Sequence, residues 1–130
     1  MNLDGATVLL VEDDRFLRKA AQATLSKGGL TVTVAVDGEE ALASARARTP
    51  DLILLDLIMP KVQGFEVLRR LKEDPSTRDI PVIVLSNLGQ ESDVQRAVLA
   101  GAAGYFVKSN LSLQDLLVRV RNILDRNGGA

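Results

Sequence analysis

A chain of 130 residues is long enough for one domain with a buried core, and 16 Lys plus Arg against 17 Asp plus Glu give a net charge of −1, which argues against a nucleic acid or an anionic membrane as partner. Cysteine and histidine are both absent, which removes disulfides, thiolate chemistry, the commonest zinc ligand and every triad built on imidazole. Three Phe, one Tyr and no Trp leave few platforms for stacking bases, and no basic, apolar leader or run of ~18 to 20 apolar residues occurs, so a soluble cytoplasmic domain without a membrane or nucleic-acid role is expected.

The first apolar run, Val8-Leu9-Leu10-Val11, stops abruptly at Glu12-Asp13-Asp14. Such a run reads as a strand buried on both faces, as in a parallel sheet. Asp14 is placed to cap a helix whose positions Leu17, Ala20, Ala21, Thr24 and Leu25 repeat at helical spacing as far as Gly28-Gly29. Val32, Val34 and Val36 alternate with Thr31, Thr33 and Ala35, the period of a strand exposed on one side and hence at an edge. Asp37-Gly38 is read as a turn, Ala41, Leu42 and Ala45 as a short second helix, and Pro50 as its stop.

A second acid-terminated run follows, Leu52-Ile53-Leu54-Leu55 before Asp56. Phe65, Leu68 and Leu71 mark a third helix ending before Pro75; Val82-Ile83-Val84-Leu85 is a fourth strand closing at Ser86. Val94, Ala97 and Val98 mark a fourth helix that ends at Gly101, and Tyr105-Phe106-Val107 a last strand closing at Lys108. The fifth helix carries the clearest stripe: Leu113, Leu116, Leu117, Val120 and Leu124. Residues 127–130 are expected to be a loose tail.

Strands alternating with helices call for a parallel sheet covered on both faces by right-handed crossovers. The order 2-1-3-4-5 suits a chain whose second strand is the edge, and it sets the ends of strands 1 and 3 side by side at the switch point, where a crevice opens. Glu12, Asp13 and Asp56 then line that crevice. The end of strand 5 lies roughly 10 Å from that of strand 3, a distance that an inward lysine side chain largely covers.

Carboxylates this close repel, by about 4 kcal/mol for two unit charges at 4 Å and an effective dielectric of 20. A hard divalent cation resolves the conflict, and oxygen ligands with retained waters are what Mg²⁺ accepts. An anionic phosphoryl group would complete the arrangement, with Lys108 supplying positive charge, Ser86 a hydrogen bond, and Asp56 available as the nucleophile that forms an acyl phosphate.

These residues also carry a resemblance. Val8-Leu9-Leu10-Val11-Glu12-Asp13-Asp14, Asp56-Leu57-Ile58-Met59-Pro60 with Gly64, Val84-Leu85-Ser86 and Gly104-Tyr105-Phe106-Val107-Lys108 resemble, in order and spacing, the motifs of receiver domains of two-component response regulators. The resemblance spans nearly the whole chain. It implies a flavodoxin-like fold, Mg²⁺ binding and phosphotransfer from a histidine of a sensor kinase or phosphotransfer protein. Carried over, Glu12 and Asp13 are the acidic pair, Asp56 the phosphoacceptor and the Ile58 backbone carbonyl a further metal ligand. Ser86 is the hydroxyl switch, Tyr105 the aromatic that turns with it, and Lys108 the lysine that pairs with phosphate. The face of helix 4, strand 5 and helix 5 is expected to change its affinity for a downstream protein.

The chain departs from that pattern where Ser109 follows the lysine, a position at which many members carry proline. Ile58 and Leu88, each two residues beyond Asp56 and Ser86, offer no polar group to orient water, so slow self-dephosphorylation is expected. The alternation of elements occupies the chain to about Arg126, and a single receiver over 1–130 without an effector domain is expected. The competing reading is a Mg²⁺-dependent aspartyl phosphatase of the haloacid dehalogenase kind. Its nucleophile belongs on strand 1 with a second acid two residues later, a spacing that Glu12 and Asp14 imitate poorly, and no segment is left for a cap domain. A flavin carrier fits less well, because acids stand where a Ser, Thr and Gly phosphate loop should follow strand 1.

Overall fold

The apolar runs pair as the periodicity requires. In a computed structural model of the protein, which describes residues 5–57, 63–87 and 91–128, the strands are β1 (Thr7–Val11), β2 (Thr31–Ala35), β3 (Leu52–Leu55), β4 (Val82–Ser86) and β5 (Gly104–Val107). All pairings are parallel, in the order β2-β1-β3-β4-β5. Between them run the helices α1 (Arg15–Lys27), α2 (Gly38–Ala47), α3 (Gly64–Glu73) and α4 (Glu91–Leu99); a 3-10 turn (Lys108–Asn110) leads from β5 to α5 (Leu113–Gly128). This is the expected flavodoxin-like α/β fold.

Because successive strand residues face opposite ways, the sheet divides its side chains between two helical layers. Leu9, Val11, Ile53, Leu55, Val82 and Val84 pack with Ala41, Leu42 and Ala45 of α2, Val67, Leu68 and Leu71 of α3 and Ala97 of α4. The intervening Val8, Leu10, Leu52, Leu54, Ile83 and Leu85 pack with Ala21 and Leu25 of α1 and Leu116, Val120, Ile123 and Leu124 of α5. The alternation of Thr and Val in β2 is visible as alternating exposure along that edge. β1 and β3, buried throughout or nearly so, take the centre.

Three local details differ from the sequence reading. Asp37-Gly38 opens α2 rather than a free turn: the Asp37 Oδ1 accepts the Glu40 N–H at 2.8 Å, and this cap outcompetes a turn. Val98, expected on the buried stripe of α4, is 56% exposed, because the small Ala97 is the residue this helix turns against the sheet. The last helix continues through Gly128, into the segment expected to be loose.

Candidate functional site

The register of the central strands sets the site. Val11 is opposite Leu55, and one step further the Asp56 N–H donates to the Val11 carbonyl at 3.1 Å while the Glu12 N–H donates to the Ala35 carbonyl at 3.0 Å. Each acid thus leaves the last rung of a ladder with its backbone fixed. Glu12 and Asp56 are 2% and 6% exposed, Asp13 is open to solvent, and carboxylate oxygens of all three lie within 4.8 Å of one another. Asp14 takes another part. Its Oδ1 accepts the N–H groups of Phe16 at 2.9 Å and Leu17 at 3.1 Å, so its side chain is committed to capping α1.

Lys108 begins where β5 ends, and its side chain crosses in front of β4 to the acids. Its Nζ donates to Glu12 Oε1 at 2.6 Å and to Asp56 Oδ2 at 3.0 Å. Burial pushes the Glu12 carboxyl up to about 7, and the charge of Asp56 adds to the rise, while hydrogen bonds from Lys108 and from the Asp14 N–H pull against it. Burial also works against the charge on Lys108, but its bonds to the two carboxylates outweigh that and hold its pKa above the usual lysine value. Lys108 therefore stays a cation against the two buried acids.

Ser86 is fully buried at the end of β4 and shares a hydrogen bond with the Tyr105 hydroxyl. Burial raises the Tyr105 phenol, as do the charges of Asp93 and Asp56. Of the residues singled out from the sequence, Glu12, Asp13, Asp56, Ser86 and Lys108 stand at the carboxyl ends of the strands or just beyond, whereas Tyr105 is the second residue of β5, in register with Val84. Ile58 and Leu88 lie outside the described residues.

Two further contacts come from the fold alone, one of them at Gly64, which the sequence marks only as a motif position. Arg18 of α1 places Nη1 at 3.1 Å from the Glu12 carbonyl and 3.3 Å from the Asp13 carbonyl. The available signal was a cation one helical turn after the acidic run. Gly64 opens α3 against the chain that follows β3: a Cβ there would lie 2.3 Å from the Leu57 Cα and 2.6 Å from the Asp56 carbonyl oxygen. Only glycine permits that approach.

With this geometry in view, comparison with known proteins is decisive. The family model for the response regulator receiver domain matches residues 8–121. The chain belongs to that family.

As a receiver it has relatives of several kinds. It is 40% identical over 119 residues to the DNA-binding dual master transcriptional regulator RpaA of Synechocystis, covering 92% of this chain and 49% of that protein. Among solved structures it is similar to a Francisella response regulator receiver domain, with a TM-score of 0.88, 28% identity and coverage of 95% and 99% of the two chains. The chemotaxis response regulator CheY4 of Vibrio cholerae is similar at a TM-score of 0.85 and 30% identity, over 92% and 98%. The chain spans about half the length of several curated relatives it matches. Receivers are the phosphoacceptor parts of two-component systems, and that is the role of this domain. Among the described residues no helix is long and apolar enough to cross a membrane.

The donor set suits a hard cation. Three carboxylates supply oxygen only, two of them buried and anchored and one facing water, which matches an ion that keeps part of its hydration shell. At 4.8 Å and an effective dielectric of 20, two such charges repel by about 3 kcal/mol. Lys108 offsets part of this, and a divalent ion would offset more.

Proposed function

We propose that this receiver accepts a phosphoryl group on Asp56 from a phosphohistidine of a sensor kinase or a histidine phosphotransfer protein, with Mg²⁺ held by Glu12, Asp13, Asp56 and the Ile58 carbonyl. The observation that carries the reading is Lys108: one ammonium reaches from the end of β5 to both Glu12 and Asp56. The other ion pairs found among the described residues lie on the surface, within α3 or between Arg46 and Asp74. This one gathers three strand ends at the place where a ligand of such a sheet belongs.

The Asp56 carboxylate oxygen bonds to phosphorus as the phosphorus–nitrogen bond of the donor breaks; the electron pair stays on the imidazole nitrogen, which takes up a proton. The donor histidine lies outside residues 1–130, which contain none. Asp56 is nearly buried and its backbone N–H is tied to Val11, so the nucleophile is oriented in advance. Lys108, already at Asp56 from the end of β5, pairs with the arriving phosphoryl oxygens. Mg²⁺, when bound, neutralises charge shared by the carboxylates and the phosphoryl group.

Ser86 and Tyr105 form the readout. The Ser86 hydroxyl, drawn to the phosphoryl group, gives up or reorients its bond to Tyr105, and the face of α4, β5 and α5 changes its affinity for a downstream protein. A shift from 1:99 to 99:1 needs about 5.5 kcal/mol of differential stabilisation. A few charge-assisted hydrogen bonds of ~1.5 to 3 kcal/mol each reach that value. The domain acts as a signalling module in the cytoplasm, with self-phosphotransfer and slow self-dephosphorylation as its only chemistry. Residues 1–130 are read as a single receiver domain.

The test is incubation with acetyl phosphate and Mg²⁺ followed by intact mass. Native protein gains one phosphoryl group and Asp56→Asn gains none. Equal gain by both proteins contradicts the assignment, and sustained turnover of a small phosphate monoester would favour the phosphatase reading.

A further inference from the structure

We propose that Arg18 is a positioning residue that sets the acidic loop for its cation, an inference that rests on the Mg²⁺ reading above and deepens it. Three consecutive carbonyls of the loop converge on this one residue. The Arg18 backbone N–H donates to the Asp14 carbonyl at 2.9 Å. Its guanidinium donates to the carbonyls of Glu12 at 3.1 Å and Asp13 at 3.3 Å. On the other side, the carboxylates of Glu12 and Asp13 converge on Asp56. The loop backbone is therefore held from α1, and the Glu12 side chain from Lys108.

The arrangement answers a physical difficulty. Adjacent acids repel, and a loop free to relieve that repulsion would spread its carboxylates apart and have to be regathered around an ion. Both bonds leave one guanidinium nitrogen, Nη1, which carries two N–H donors, so one side chain reaches two neighbouring carbonyls. Partners that orient ligands in this way change metal affinity by about 10- to 100-fold when removed.

Two effects of Arg18 on cation affinity have opposite signs, and this makes the inference decidable. As a charge near the site, it repels a divalent ion, so its removal would tighten binding. As the anchor of the loop, its removal weakens binding. Arg15, exposed at the start of the same helix, serves as the control for charge alone.

The experiment is a Mg²⁺ titration of the native protein, Arg18→Met, Arg18→Lys and Arg15→Met, followed by backbone amide chemical shifts. It is paired with amide hydrogen exchange of Asp13 and Asp14 without metal. The expected results are affinity about tenfold weaker in Arg18→Met, partly recovered in Arg18→Lys and not weakened in Arg15→Met, with faster exchange of the loop amides in Arg18→Met. Affinity equal to or tighter than native in Arg18→Met, or unchanged loop exchange, overturns the role of Arg18. Native protein that takes up no Mg²⁺ at millimolar levels overturns the cation reading itself, and the role of Arg18 with it.

Discussion

Asp13 and Asp14 carry the same side chain on adjacent residues and have different partners. Asp13 offers a carboxylate oxygen to the cluster with Glu12 and Asp56, whereas Asp14 spends its own on the first amides of α1. Replacing Asp14 with Ala should therefore lower unfolding free energy by about 1 kcal/mol, the usual worth of such a cap, and leave phosphoryl uptake intact. Denaturant unfolding and intact mass after acetyl phosphate read the two halves separately, and a loss of uptake would place Asp14 in the site after all. Two residues beyond Asp56 in the sequence, Ile58→Asn supplies a polar group where the chain has none. The phosphoryl lifetime of Ile58→Asn, followed by decay of the phosphorylated mass, should be shorter than native; an unchanged lifetime removes the apolar explanation for slow self-dephosphorylation.

Single residues also mark the limit of what the sequence reveals. Glu12, Asp56 and Lys108 were legible because each ends an apolar run, and a run's end is visible in one dimension. Arg18 was not, and Gly64 was legible only as a motif position without its reason, since their roles depend on how α1 and α3 return toward the strand ends, which is a matter of helix phase and close approach. Lys108 shows the same boundary from the other side. Its reach toward the acids followed from strand spacing, but its simultaneous contact with Glu12 and Asp56 is a property of the folded site.

Among the elements, α3 carries a surface ion network whose pH dependence has a definite sign. Glu66 accepts from Arg70 Nε at 2.8 Å and from Arg69 Nε at 2.8 Å, and these bonds hold its carboxyl down to about 2. Because the folded value lies below the ordinary 4.5, the stabilisation is fully present above about 4.5 and is lost as pH falls toward about 2. The network faces water and salt, so its contribution is small. Thermal unfolding of native protein and Glu66→Gln should differ near neutral pH, and the difference should shrink below about pH 4.5; a difference that grows on acidification would contradict the sign. Element type was largely legible from periodicity: continuous apolar runs gave the central strands and Thr/Val alternation gave the edge. Where the reading missed, as at Asp37 and Val98, the decision belonged to a capping hydrogen bond and to the angle at which α4 meets the sheet.

For the molecule as a whole, the strand order β2-β1-β3-β4-β5 converts four separated sequence motifs into one site. Reversal of winding at β1 and β3 opens the crevice, and the parallel ladders bring Glu12, Asp56, Ser86 and Lys108 to the same end of the sheet. A cation held there should stabilise the folded state by linkage, by about 2.7 kcal/mol at a hundred times its dissociation constant. The central claim is that Asp56, among all the acids, receives phosphorus. Borohydride reduction of the protein after reaction with acetyl phosphate and Mg²⁺, followed by peptide mass spectrometry, converts an aspartyl phosphate to homoserine and so locates it. The account requires homoserine at position 56; homoserine at position 13 or at any other aspartate, with position 56 unchanged, would contradict it.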